Sequence, residues 1–210
     1  MIQTDVVESA IGLTVHDILY LSPSFWRLHF DNEGPDLAPL LEDLRQFKVC
    51  GELMLTGIKH GLDTKNLDTT TTMLEDGSSV LHTPATGAAK AMPPTTALAG
   101  IPRVGCLLAK GERQGVKPFI FSLNGSTRLR LGIVSRALPV RPVTKPLGHS
   151  ITTFNNVELP GEALLGSPAK AKDYRAEYLN QIHRVSVGTL SFVHYGRVGL
   201  EGGRVHHGHV

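Results

Sequence analysis

Apolar and polar positions change their spacing twice along the 210 residues of this chain. Over residues 1–22, Val6, Val7, Ile11, Val15, Ile18 and Leu19 recur at helical spacing. They predict one amphipathic helix, interrupted at Gly12 and ended near Pro23. Phe25, Trp26 and Phe30 follow as an aromatic cluster suited to packing against a neighbouring domain. A second helical pattern covers 36–47, with Leu37, Leu40, Leu41, Leu44 and Phe47 on one side and Pro39 in the first turn, where proline is tolerated. From Val49 the period becomes that of strands, predicted at 52–55, 67–74, 79–84, 104–110, 117–123, 133–138 and 150–159. Asp76-Gly77, Gly111 with Gly115, Asn124-Gly125, the prolines from 139 to 146 and Pro160-Gly161 punctuate them, and 75–78 is the clearest hairpin. After Leu165-Gly166 a helical pattern returns over 174–192, and the Gly-rich stretch beyond it has no period and reads as disordered.

Short strands at this spacing predict a mainly β protein with flanking α. The architecture is a small antiparallel β-barrel or sandwich with helical stubs at both ends. The 22 glycines and 13 prolines favour that reading over a helical bundle. A net charge of +2 without a Lys/Arg cluster gives no footing for nucleic acid. Cys50 and Cys106 sit in apolar runs and read as reduced core residues rather than a disulfide or metal pair. No apolar run is long enough for a membrane span, and the acidic N-terminus has no signal-type apolar core. The expected place is intracellular, cytoplasmic or peroxisomal, although the C-terminal Gly-His-Val is not an SKL-type signal.

Single-residue chemistry is sparse. His206, His207 and His209 cluster on a Gly-rich tail without a carboxylate or thiolate, so no metal site is assigned. His183 reads as a helix-boundary residue. There is no G-x-S-x-G elbow, and Gly111 to Gly115 lacks the Lys-Ser/Thr end of a phosphate cradle. The organising stretch is 49–72, VCGELMLTGIKHGLDTKNLDTTTT: an apolar strand, a turn carrying Lys59 and His60, then a threonine-rich run.

That stretch resembles the entry into the middle β-domain of flavin-dependent acyl-CoA oxidases and dehydrogenases, where a strand ending in Thr-Glu leads into a His-Gly-Thr-Asn type turn. Thr56, His60, Gly61 and Asp63 fall in that register, with Gly57 in place of the glutamate. Leu81-His82-Thr83-Pro84 followed by Lys90, Phe154 to Pro160, Leu164-Leu165-Gly166, and Arg184 with Gly188 extend the resemblance in order along the chain. The resemblance implies a remnant of an N-terminal helical domain over 1–48, a β-barrel middle domain over 49–166, the first helix of a truncated C-terminal domain over 167–192, and a tail over 193–210. It implies FAD as cofactor, contacted by Thr56, Gly61 and Pro94. It implies an acyl-CoA or similar thioester as substrate, near His60 and Asp63, and a possible homo-oligomer.

The implied activity is α,β-desaturation of the thioester. In the family a C-terminal glutamate takes the α-proton, and no residue of this chain matches it, so no catalytic residue is assigned. After Lys90 the sequence Ala91-Met92-Pro93-Pro94 lacks the tryptophan that normally lies against the flavin, and Pro94 has no N–H where oxidases often have glycine. These departures keep other readings open: a non-redox binding or scaffolding module, a flavin-free catalyst on the same β-domain, or an inactive fragment.

Overall fold

The computed structural model describes residues 37–46, 48–61, 63–93, 95, 102–111, 115–125, 128–139, 149–170, 172–176 and 178–179. The helix predicted over 1–22, the aromatic cluster of Phe25, Trp26 and Phe30, the tail from 193, and all of the 174–192 helix beyond Leu179 lie outside the described residues.

One strand organises the rest. β5 (Arg103–Gly111) pairs antiparallel with β6 (Gly115–Ser122) along its whole length, from Val104↔Ser122 to Gly111↔Gly115. On its other side it takes two partners in succession. β1 (Cys50–Met54) runs parallel to its first half, ending at Met54↔Leu107, and β2 (Thr70–Met73) runs parallel to its end, beginning at Thr70↔Lys110. β2 turns back into β3 (Ser79–His82), which pairs with β9 (Val157–Leu159). A smaller sheet has the order β4 (Lys90–Ala91), β8 (Ser150–Phe154), β7 (Ile133–Ala137).

The architecture is the mainly β, barrel-like domain that the spacing predicts, with one correction. The large sheet is mixed, because β1 and β2 both lie parallel to β5. Strand periodicity reports which side chains are buried, not the direction of the neighbour, so it could not separate these cases.

β5 is apolar without alternation because both of its faces are covered. Leu107 and Ala109 face the barrel interior with Met54, Leu81, Phe119, Phe121, Phe154 and Leu159. Val104 and Cys106 face the other way, onto α1 (Ala38–Arg45), whose Leu44 packs there with Leu37 just before the helix. Leu37, Leu40 and Leu44 recur at the spacing of one helical face, and Pro39 occupies the first turn without losing a bond. Cys106 is a buried, unbridged thiol. Asp173 Oδ1 caps the N–H groups of Arg175 and Ala176 where the C-terminal helical pattern begins.

Pro118 lies inside β6 at no cost to the ladder. Its carbonyl accepts from Leu165 N–H, so its backbone polar groups face away from β5. The single strand expected over 150–159 is two. Asn156 adopts a left-handed conformation (φ 48°), which asparagine tolerates, and the chain leaves β8 in the small sheet to enter β9 in the large one. The hairpin at 75–78 forms as expected, with Gly77 at φ 85° and Asp76 Oδ1 accepting from both Ser78 N–H and Ser78 Oγ.

Gly132 sets the corner between the sheets. Its φ is 83°, and a Cβ there would lie 2.6 Å from the Asn155 carbonyl oxygen, whose own N–H donates to the Gly132 carbonyl. Gly132→Ala should therefore lower unfolding free energy by about 2–3 kcal/mol in a denaturant titration. Gly125→Ala, facing open space, should stay within about 0.5 kcal/mol. Equal effects of the two would contradict the corner's role.

Candidate functional site

The end of β1 runs into a closed turn. Gly57 and Gly61 exchange backbone hydrogen bonds, 2.8 Å from Gly61 N to Gly57 O and 3.3 Å in return, with Gly61 at φ 55°. The segment 86–92 is stitched along one side of this turn. Ile58 N–H donates to Ala89 O at 3.0 Å, Lys59 N–H to Gly87 O at 2.9 Å, and Ala91 N–H to Thr56 O at 3.0 Å. The Thr56 hydroxyl adds a bond to Ala91 O at 2.5 Å, and Thr69 Oγ1 anchors Ala88 O from below at 2.9 Å. Gly87 permits the contact, since a Cβ there would come within 3.1 Å of Lys59 Cβ.

Charge gathers on the outer side of the turn. Asp68 Oδ2 lies 2.8 Å from His60 Nε2 and 3.4 Å from Lys59 Nζ. His60 is nearly enclosed, at 10% exposure, whereas Asp68 is open, at 40%. The His60 ring nitrogen is buried and, apart from this close approach to Asp68, has no partner. The approach of His60 Nε2 within hydrogen-bonding range does most to hold the Asp68 carboxyl below its ordinary value; burial opposes it, and the Lys59 amine adds to the lowering. Asp63 is exposed, and its Oδ2 accepts from Asn66 Nδ2 at 2.7 Å, which fixes the 3-10 turn at Thr64–Asn66.

Beside the turn is an open groove of about 500 Å³. Its floor is the outer face of the small sheet, Val134 paired with Thr153 and Arg136 with Ile151, and Ile58 and Ala89 form its wall. Ile58 and Val134 are 44% and 50% exposed, so apolar surface faces outward here. Apolar walls, hydroxyls and one guanidinium suit a flat organic ring with polar edges and an anionic substituent.

This fold is that of the acyl-CoA oxidases. The chain superimposes on acyl-CoA oxidase 1 of Arabidopsis thaliana with a TM-score of 0.62 at 16% identity, over 80% of this chain and 28% of that one. Acyl-CoA oxidase-1 of Caenorhabditis elegans, solved with FAD and ATP, gives 0.61 at 21% identity over 76% of this chain and 26% of that one. Acyl-CoA oxidase-2 of the same organism, solved with FAD, ascaroside-CoA and ATP, gives 0.61 at 23% identity, over 76% and 24%. The chain spans about a quarter of the length of these structures. No protein-family model and no curated protein matches it.

Of the residues nominated from sequence, Thr56, His60 and Gly61 come together in one turn, and Asp63 N–H donates to the His60 carbonyl at its exit. Pro94 lies outside the described residues. Asp68, the acid that meets His60, was not singled out in the sequence. Its one signal was an unpaired acid eight positions after the histidine, too weak without the fold. No helix among the described residues is long and apolar enough to cross a membrane.

Because the carboxyl of Asp68 is lowered from 3.8, its attraction to the turn is present above that pH and is lost as pH falls below it. Carbon NMR of the carboxyl should give a midpoint below 3.8, and His60→Ala should move it upward. A midpoint unmoved by that substitution would remove His60 as the cause.

Proposed function

We propose that this chain is the β-domain portion of an acyl-CoA oxidase-like oxidoreductase. In this reading 49–166 forms the flavin-facing barrel, with helical domain remnants on either side, over 1–48 and 167–192. The observation that carries it is the likeness of fold to acyl-CoA oxidases over three quarters or more of the chain, two of those structures having been solved with FAD. The reaction is FAD-dependent α,β-desaturation of an acyl-CoA thioester. Bound FAD supplies the hydride acceptor, and this chain's residues bind and orient.

The Thr56 hydroxyl spends its hydrogen on Ala91 O. It therefore offers only acceptor lone pairs outward, which suits a ring N–H at the polar edge of a flavin. Gly61, without a side chain, lets a ring or a thioester approach the backbone closely. His60 faces the thioester end, with its orientation steadied by Asp68. Asp63 keeps one oxygen on Asn66 and has the other for substrate. The groove volume falls within the range of small-molecule clefts, about 300–1,000 Å³. Its open side is where helical elements complete the site.

A second reading is a binding or scaffolding module without redox chemistry. One local feature favours it: Ala91 and Met92 stand where the resemblance expects an aromatic wall, and Met92 is 51% exposed with φ 83°.

Visible absorbance of the purified protein with added FAD separates the two. The oxidase-like reading expects a bound-flavin spectrum, bleached by an acyl-CoA under anaerobic conditions. Thr56→Val should then weaken FAD binding about five- to tenfold, as expected for one hydrogen bond. No flavin binding at any concentration would leave the second reading.

A further inference from the structure

Lys90 is the largest fully buried side chain among the described residues, with no exposed surface. Its Nζ donates to the Leu108 carbonyl at 2.9 Å. That acceptor sits at a particular place in the sheet. Leu108 pairs with Pro118, whose polar groups face away from β5, so the pair exchanges no bonds and the Leu108 carbonyl points to the opposite side. There β1 has ended, at the partner of Leu107, and β2 has not begun, at the partner of Lys110. The amine fills the gap where β5 passes from one neighbour to the next.

The same residue bridges outward through its backbone, to Gly57 on one side and Thr152 on the other. The segments 56–61 and 86–92 are bound mainly to each other; the Lys90 side chain, the Thr69 bond to Ala88 O, the short β4–β8 pairing extended by Met92 N–H to Ser150 O, and the contacts of Asp68 with His60 and Lys59 and of His149 with Met92 O hold them to the barrel.

We propose that Lys90 is a proton-linked latch: the segments 56–61 and 86–92 leave the barrel as one unit when its amine passes into water and takes up a proton. Burial alone pushes the amine down from 10.5 to about 7. The charged groups on neighbouring elements are engaged elsewhere. Lys59 and His60 in the turn meet Asp68, and Arg103 of β5 meets Glu52 of β1. Lys110 of β5 is exposed, β8 carries no titratable group, Arg136 of β7 lies on the opposite face of the small sheet, and His149 is held by Met92 O.

The sign follows from the two protonation states. Between about 7 and 10.5 the closed form is neutral and the open form charged, so opening takes up one proton. Each unit fall in pH then raises the open fraction about tenfold. Below about 7 the closed form is protonated too, and the dependence flattens.

Hydrogen exchange of the whole chain, corrected for chemical rate, tests this on the amides at the seam with β8, that of Met92, which donates to Ser150 O, and those of the Lys90–Thr152 pair. Their opening constant should fall about a hundredfold between about pH 7.5 and about pH 9.5, and should exceed that of the β5–β6 amides throughout. In Lys90→Met the pH dependence should vanish. A wild-type opening constant unchanged with pH, a dependence retained in Lys90→Met, or exchange only in step with β5–β6 would each overturn the latch. Should that variant fail to fold, nitrogen NMR of the wild-type Lys90 amine decides. A neutral amine at about pH 8.5 supports the proposal and a protonated one overturns it.

Discussion

The hydrogen bond from Lys90 to the Leu108 carbonyl is the constraint on which the arrangement rests. A central strand that changes neighbours partway along leaves one backbone carbonyl with no ladder partner, and an unpaired carbonyl in a core is costly. The chain meets that need with an amine carried on a two-residue strand of the other sheet. Barrel closure, backbone satisfaction and placement of the candidate turn are thereby joined in one residue. A shorter or apolar side chain would fill part of the volume and leave the carbonyl unmet.

Much of the fold was legible because burial leaves a period. β5, β6, β7 and the hairpin at 75–78 fall within a residue or two of their expected limits, and α1 lies inside its predicted window. What could not be read was direction and partition. Nothing in the apolar run of β1 announces a parallel neighbour some fifty positions downstream, and the break at Asn155-Asn156 is hidden inside a run that alternates well on both sides. β4 escaped because two residues cannot carry a period.

The candidate site was legible in its outline and not in its wiring. Thr56, His60 and Gly61 were marked by their order along one turn, and the fold gathers them there. The contacts that give the turn its shape come from residues without a sequence signal: Ala89 and Gly87 through their carbonyls, Thr69 through a hydroxyl, and Asp68 through charge. Backbone acceptors have no residue identity, so no reading of side-chain types could have found them. Lys90 was visible only as the start of a segment, since a lysine in sequence reads as solvated surface.

The neighbours of β5 also differ in how far along the chain they must be sought. β6 is the next strand along the chain, whereas β1 pairs with β5 across some fifty positions, Cys50 with Arg103. Closing a long loop costs entropy before any pairing returns it, so local contacts form first and distant parallel ones last. Loop-closure entropy therefore favours the β5–β6 pairing over that of β5 with the earlier strands. During synthesis β1 leaves the ribosome some fifty residues ahead of β5, while the turn that follows it meets the segment 86–92 after some thirty. The strand that leads into the candidate site therefore stays an open edge until β5 arrives to cover it.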